Sequence, residues 1–273
     1  MELLLVAFLL STIAGLSTGI GSLITFVVRK PSKKVISFIM GFSAGVMILL
    51  SFLELLQEGI QTNGILAGIL FFLLGMGLML LIDIGITHRY EYEDITDNEV
   101  NTYSLSKERA HQHRHRHRGR LSQQKQLKKT SVLVTLGVFI HNFPEGMATF
   151  IGTLKEFELG VLITLAIALH NIPEGIVVAA TISTHNEKKL KPFLWSFISG
   201  ISEPLGALTV GFFLFPFIND YLLGAMLSVV GGFMIYISLD ELLPMSRALG
   251  KEHISILGIA TGMFVMAVSL TIL

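Results

Sequence analysis

The sequence predicts an all-α integral membrane protein with eight transmembrane helices. Of its 273 residues, 52% are hydrophobic and only 15% are charged, and the mean hydropathy is +0.68. An ordinary soluble protein carries roughly 25% charged residues, so this composition is typical of a membrane protein. A transmembrane helix needs about 20 predominantly apolar residues. Eight stretches meet that requirement: 3–28, 35–57, 64–87, 131–153, 158–182, 192–215, 221–243 and 253–273.

The first stretch begins directly after Met1 and Glu2, with neither a basic leading segment nor a small-residue cleavage pattern. We therefore expect a retained first span rather than a signal peptide. Eight spans place both termini on the same side of the bilayer. We expect residues 1–273 to form a single transmembrane domain. The lipid bilayer is its expected surrounding, and no nucleic-acid partner is expected.

The basic residues predict the orientation of these spans. Nineteen of the 20 Lys and Arg residues fall in the loops after spans 1, 3, 5 and 7, and the remaining one is Lys155. Cytoplasmic loops carry an excess of Lys and Arg. We therefore expect those four loops, including a flexible His- and Arg-rich loop over 88–130, to be cytoplasmic. Both termini would then lie on the outer side of the cell membrane.

An internal repeat joins the two ends of the chain. When span 2 is aligned with span 7, Gly45–Leu56 matches Gly232–Leu243 at seven of twelve positions; when span 1 is aligned with span 6, Ser11–Leu23 matches Ser196–Leu208 at six of thirteen. Spans 1 and 6 run in opposite directions. We therefore expect spans 1–3 and 6–8 to form an inverted repeat around the antiparallel pair of spans 4 and 5, as in many transporters. Chance similarity among apolar helices is the alternative.

Two near-identical hexapeptides lie inside spans 4 and 5. They are His141-Asn142-Phe143-Pro144-Glu145-Gly146 and His170-Asn171-Ile172-Pro173-Glu174-Gly175. Residues four apart share a helix face, so the His and Glu of each copy point together. A charged side chain at this depth costs at least ~2.5 kcal/mol, and a bound divalent metal ion would compensate for it. One copy could be a kinked helix with packed polar residues, but two copies favour a metal cage.

The ligand types narrow the choice of metal. The chain has no cysteine, so a metal site must use nitrogen and oxygen atoms. Imidazole, carboxylate and amide together suit Zn, Fe(II), Mn, Co, Ni or Cd. We expect Glu203, which precedes Pro204 in span 6, to face the same cage; a hydrogen bond to a neighbouring helix is the alternative.

Several other polar residues have weaker patterns. Glu54 in span 2 and its repeat partner Glu241 in span 7, with Asp240 beside it, suggest a relay for an ion moving into and out of the cage. Simple interfacial carboxylates are the alternative. Asp83 in span 3 is interpreted as a helix-packing or interfacial residue rather than a ligand. The segment from His111 to Arg118 alternates His with Arg, and it is either a metal-sensing or delivery loop or a basic solvated loop.

With the two hexapeptides, the long His-containing loop and Glu203, the chain resembles the ZIP family (Zrt-, Irt-like proteins), most closely its bacterial ZupT-type zinc transporters. The resemblance covers nearly the whole chain. It implies an eight-helix homodimer that brings Zn(II), and often Fe(II), Mn(II), Co(II) or Cd(II), into the cytoplasm through a two-metal centre between spans 4 and 5. It also implies an elevator-like movement of spans 1, 4, 5 and 6 against the others.

The resemblance further implies which residues hold each metal. The first position is similar to one built from His141, Glu145, His170 and Glu174. The second would use Asn142, Glu145, Asn171, Glu174 and Glu203. In span 5, His170 stands where many family members have Gln, which is a departure from the family pattern.

We therefore expect uptake of a divalent transition metal by alternating access, with the metal as the transported substrate and no catalytic cofactor. A metal-selective channel is one alternative. An intramembrane metalloenzyme is another, but such hydrolases commonly carry a His-Glu-x-x-His helix, and this string does not occur in the sequence. The protein is accordingly predicted not to be an enzyme.

Overall fold

The structure is a computed structural model that describes residues 2–27, 31–86, 137–182, 190–249 and 252–272. The expected loop over 88–130, with its alternating histidines, lies outside the described residues. Within the described ranges the chain forms eight helices and no strand. They are α1 (Glu2–Val27), α2 (Lys33–Asn63), α3 (Ile65–Ile86), α4 (137–155), α5 (Phe157–Ile182), α6 (Leu190–Leu214, followed by a 3₁₀ turn Phe215–Phe217), α7 (Asp220–Ile237 and its continuation to Leu249) and α8 (Glu252–Ile272).

The prediction of an all-α integral membrane protein is confirmed. Seven of these helices are long and apolar enough to cross a membrane. The eighth expected span corresponds to α4, which is described from residue 137 onward.

Some helices extend beyond the apolar windows that predicted them. The expected end of span 2 was residue 57, but α2 continues to Asn63 and stops at Gly64, whose φ is 87°. Glycine adopts this left-handed conformation without strain and commonly terminates helices. Gln57 and Glu58 are good helix formers, so the helix continues although the hydropathy falls.

Helices α2 and α7 contain the same irregularity at matched positions. A π-helical turn occupies Ser51–Leu55 in α2 and Ser238–Leu242 in α7, and the alignment of span 2 with span 7 pairs these two turns residue for residue. In each turn the first serine donates a hydrogen bond of 2.7 Å to the carbonyl four residues earlier, that of Met47 or of Met234. Such bonds bend helices, and π turns occur frequently at functional sites.

The two helices also begin alike. Ser32 Oγ accepts a hydrogen bond from the Val35 N–H at 3.3 Å, and Asn219 Oδ1 accepts one from the Leu222 N–H at 2.8 Å. The same alignment, extended toward the start of each helix, pairs Ser32 with Asn219 and Val35 with Leu222. The repeat seen in the sequence therefore governs the helix boundaries from the N-cap to the π turn.

Each repeat packs its second helix against the third helix of the other repeat. Helix α2 lies along α8, and α7 lies along α3. Gly45 of α2 faces the Ile259 carbonyl of α8, and Gly232 of α7 faces the Phe72 carbonyl of α3, with no room for a Cβ at either glycine. Small residues allow such close helix approach in membranes. The two halves are thereby interlocked.

The same equivalence is visible in how deeply each helix is buried. The share of buried residues in the apolar part is 22% in both α3 and α8 and 39% in both α1 and α6, and it is 56% in α2 and 67% in its repeat partner α7. Helices α3 and α8 are therefore the most exposed of these spans, whereas α5 and α7 are the most buried, each with 67% of its apolar part buried.

Helices α4 and α5 lie against α6 and α1 in matched ways. Gly146 of α4 faces the backbone carbonyl of Glu203 in α6, and Gly175 of α5 faces that of Thr18 in α1. The two glycines end the two hexapeptides, and the alignment of span 1 with span 6 pairs Thr18 with Glu203. The four helices thus form two equivalent pairs, which bring both hexapeptides together.

We expect Gly75→Ala to destabilise the protein. A Cβ at Gly75 of α3 would collide with the Val229 carbonyl of α7, whereas Gly77 on the same helix faces open space. Overpacking of this kind costs about 1–3 kcal/mol. Thermal melting of the purified protein in detergent, followed by size-exclusion chromatography, should show a lower midpoint for Gly75→Ala and a wild-type midpoint for Gly77→Ala. Equal midpoints for all three proteins would contradict the close contact of α3 with α7.

Candidate metal site

The centre of the site is a group of three buried side chains from α4 and α5. Ligand atoms of Glu145, His170 and Glu174 all lie within 4.8 Å of one another. His170 Nε2 is 3.1 Å from Glu145 Oε1. The exposed fraction of the three residues is 0%, 0% and 3%. Two carboxylates and an imidazole at this spacing have the composition of a divalent metal site.

The carboxylate oxygens of this group have no hydrogen-bond partner within the described part of the chain. Both oxygens of Glu145 and both of Glu174 are buried in this way, although Glu145 Oε1 lies 3.1 Å from His170 Nε2 and forms an ion pair with it when that imidazole is protonated. An unpaired buried polar group costs about 1–3 kcal/mol, and an unpaired charge costs more. Carboxylate oxygens gathered in one buried place in this way favour a positively charged partner.

The His170 imidazole offers a nitrogen lone pair to the centre. Its Nδ1 lies 3.1 Å from the Ala166 carbonyl, and because a carbonyl only accepts, Nδ1 carries the proton. In the neutral imidazole the lone pair is then on Nε2, the atom nearest to Glu145. Ser43 of α2 donates a hydrogen bond of 3.2 Å to the His170 carbonyl and joins α5 to α2 at this level. Metal-bound histidines use this arrangement, with one nitrogen fixed by a protein carbonyl.

The asparagines of the two hexapeptides are held by their amide nitrogens. Asn142 Nδ2 donates to the Ser199 carbonyl at 3.4 Å, and Asn171 Nδ2 donates to the Ala14 carbonyl at 3.1 Å. Both Oδ1 atoms are buried without a hydrogen-bond partner among the described residues. Since the amide hydrogens are occupied, the two Oδ1 atoms are the groups of these side chains that are left to accept a further partner.

Glu203 of α6 joins this group through Asn171. Its Oε1 accepts a hydrogen bond of 2.5 Å from Asn171 Nδ2, and its Oε2 is buried without a described partner. Helix α6 is interrupted at Ile201, and Pro204 lies in the first turn of the following segment, Ser202–Thr209, where a missing N–H is tolerated. The interruption places the carboxylate beside the two hexapeptides.

His141 lies at the edge of the group and contacts α7. Its Nε2 is 2.8 Å from Oε1 of Glu241, which belongs to the π turn. Of the four residues expected around the first metal, the structure thus brings together Glu145, His170 and Glu174, while His141 is hydrogen-bonded to Glu241. The π turn thereby connects α7 to the site.

The other candidate residues lie on the repeat helices. Glu54 is half-buried in the π turn of α2, at the position that matches Glu241, and Asp240 is exposed next to Glu241. Asp83 accepts a hydrogen bond of 3.2 Å from Tyr236 Oη and so joins α3 to α7. This contact agrees with the packing role expected for Asp83.

The sequence interpretation missed the groups that orient the asparagine amides. They are the Thr18 hydroxyl, 3.5 Å from Asn142 Nδ2, and the carbonyls of Ala14 and Ser199. A small hydroxyl in an apolar helix gives no hydropathy signal. The repeat alignment does point to Thr18, because it pairs this residue with Glu203.

Comparison with known proteins identifies the family of the chain. The family model described as ZIP Zinc transporter matches residues 3–270. The chain is 42% identical to the zinc transporter ZupT of Clostridium perfringens, over 99% of this chain and 96% of that protein. The identity to ZupT of Campylobacter jejuni is 41%, over 100% and 98% of the two chains, and to ZupT of Streptococcus mutans 39%, over 98% and 97%.

The resemblance noted from the hexapeptides is therefore confirmed. These relatives are named transporters, so the prediction that the protein is not an enzyme is confirmed as well. The chain belongs to the ZIP zinc transporter family.

Proposed function

We propose that this protein carries divalent transition-metal ions, chiefly zinc, into the cytoplasm by alternating access through a two-metal site between α4 and α5. The observation that carries the proposal is the cluster of buried carboxylate oxygens of Glu145 and Glu174, which accept no hydrogen bond from the described residues. A cation bound there would compensate both carboxylates, and they in turn would replace its lost hydration. The relatives are named zinc transporters, which supports zinc as the substrate.

The ligands divide into two overlapping metal positions. Glu145 and Glu174 each provide two oxygens, so both residues can belong to both positions. His141 and His170 would complete the first position, and the second would add Asn142, Asn171 and Glu203. A nitrogen and oxygen site of this kind also suits Fe(II), Mn(II), Co(II) and Cd(II), which we propose as secondary substrates.

His141 and His170 occupy the same position in the two hexapeptides but contact different partners, which supports alternating access. His141 contacts Glu241 of α7, whereas His170 contacts Glu145 and not Glu54, the residue of α2 that the repeat pairs with Glu241. The halves of an inverted-repeat transporter exchange arrangements between their two states. In the opposite state we expect His170 to contact Glu54 and His141 to leave Glu241.

The carboxylates of the π turns would then act as a relay. In the orientation predicted from the basic residues, Glu54 lies toward the outside, and Glu241 with the exposed Asp240 lies toward the cytoplasm. Glu54 would receive the arriving ion, and Glu241 and Asp240 would release it. We further propose a homodimer in the cell membrane with both termini outside.

The membrane potential would drive this uptake. One elementary charge gains ~2.3 kcal/mol per 100 mV, and a divalent ion gains roughly twice that, which equals about three decades of concentration. Movement toward a negative interior therefore needs no other source of energy.

We expect Glu145→Ala and Glu174→Ala each to abolish zinc uptake, because each carboxylate contacts both metal positions. Glu203→Ala should retain more activity than either, since Glu203 serves one position only. Glu158→Ala, an exposed position in the first turn of α5, is the matched control and should transport like the wild type. Radioactive zinc uptake into proteoliposomes measures all four. Zinc uptake by a folded Glu145→Ala/Glu174→Ala double variant would refute the site.

A cross-link between α2 and the α4–α5 turn should distinguish a carrier from a channel. Lys155 Nζ is 3.3 Å from Glu58 Oε1 and donates to Thr62 Oγ1 at 3.0 Å, so the turn is attached to the end of α2. The chain has no cysteine, so Glu58→Cys/Lys155→Cys provides the only thiols. A short bis-methanethiosulfonate reagent should stop zinc uptake, and a reductant should restore it.

The two single-cysteine variants, treated in the same way, are the control for this experiment and should keep their uptake. A channel needs no relative movement of α2 and α5. Undiminished flux in the fully cross-linked protein would therefore contradict alternating access and favour a metal-selective channel.

A further inference from the structure

We infer that Thr18 of α1 is a positioning residue for the second metal position, where its hydroxyl fixes the orientation of the Asn142 amide. The inference rests on the proposed two-metal site. Thr18 is fully buried, and its Oγ1 accepts a hydrogen bond of 3.5 Å from Asn142 Nδ2. This side chain belongs to a helix that contributes no proposed metal ligand.

The contact is one half of a symmetric pair. Asn171, which matches Asn142 in the alignment of the two hexapeptides, donates its own amide hydrogen to Glu203. Glu203 in turn matches Thr18 in the alignment of span 1 with span 6. Each asparagine amide is thus held by a side-chain oxygen at the same position of α1 or α6. The recurrence of the contact indicates a built arrangement rather than an accidental approach.

The second amide hydrogen is bound in the same symmetric way. Asn142 donates to the Ser199 carbonyl and Asn171 to the Ala14 carbonyl, and the alignment of span 1 with span 6 also pairs these two acceptors. An amide nitrogen has two hydrogens. With one on a carbonyl and one on the α1 or α6 side chain, the nitrogen is saturated and the oxygen is left for a cation.

The backbone around Thr18 fixes where its hydroxyl lies. Ser196 Oγ donates a hydrogen bond of 3.1 Å to the Thr18 carbonyl, and Gly175 of α5 packs directly against that carbonyl. The residue therefore has little freedom to move when its side chain is changed. Loss of the hydroxyl leaves an Asn142 N–H without its acceptor in a buried place. The amide is then held by the Ser199 carbonyl alone, so a rotation that turns a donor, instead of its oxygen, toward the metal becomes easier.

The test compares Thr18→Val and Thr18→Ala, which remove the hydroxyl, with Thr18→Ser, which keeps it. For both hydroxyl-free variants we expect the KM of zinc uptake in proteoliposomes to rise about 3- to 10-fold, as for loss of one buried hydrogen bond, with Vmax within about twofold of wild type. Equilibrium dialysis of the full-length protein in detergent, followed by metal analysis, should show the same effect on binding. At a zinc concentration that fills both positions of the wild type, the two hydroxyl-free variants should bind one zinc ion instead of two. Thr18→Ser should show the wild-type KM and two bound zinc ions.

Thr12→Val is the matched control on the same helix. The Thr12 hydroxyl donates a hydrogen bond of 2.8 Å to the Phe8 carbonyl of its own helix, and we expect its removal to leave KM and the bound zinc unchanged. If Thr18→Ala has the wild-type KM and binds two zinc ions, the proposed role of Thr18 is wrong, while the two-metal site is unaffected. Failure of Thr18→Ser to show the wild-type KM and two bound zinc ions would also overturn this role, because side-chain volume would then be the cause. A wild-type protein that binds fewer than two zinc ions would instead overturn the proposed two-metal site.

Discussion

The carboxylates of Glu145 and Glu174 must be compensated at a depth where water and lipid cannot solvate them. The surrounding groups contribute lone pairs to this place rather than hydrogens. His170 donates its Nδ1 proton to the Ala166 carbonyl, and the asparagine amides donate theirs to carbonyls of neighbouring helices. The carboxylate and amide oxygens that accept no hydrogen bond from the described residues are therefore what faces the centre. A bound metal ion would satisfy them all at once, and its departure would leave a high-energy site that favours rebinding.

This array is positioned by an internal repeat that controls the packing of the whole chain. Glycines at matched positions bring α4 onto α6 and α5 onto α1, and the same relation recurs where α2 meets α8 and α7 meets α3. Two departures from the symmetry fall at the site. One is the pair Thr18 and Glu203, where a neutral hydroxyl stands opposite a carboxylate. The other is the pair His141 and His170, whose partners differ. Because the rest of the repeat is symmetric, these two differences make the surroundings of the site unequal on the two sides of the membrane.

Much of this could be predicted from the sequence, for identifiable reasons. The number of helices follows from apolar length, and the site follows from a hexapeptide that recurs in two neighbouring spans. Helix ends were less predictable, because Gln57 and Glu58 are polar and yet good helix formers. The partner of His141 depends on how α7 sits against α4, which no local pattern encodes. Thr18 gives a signal only when the repeat alignment is followed position by position into α1.

Anomalous diffraction at the zinc edge, from crystals of the zinc-loaded protein, can locate zinc bound at Glu145 and Glu174. Two zinc peaks are expected between α4 and α5, bridged by Glu145 and Glu174, with nitrogen and oxygen ligands at about 2.0–2.2 Å. Fully loaded crystals in which these carboxylates contact no zinc, with all anomalous peaks elsewhere on the protein, would contradict the proposed site.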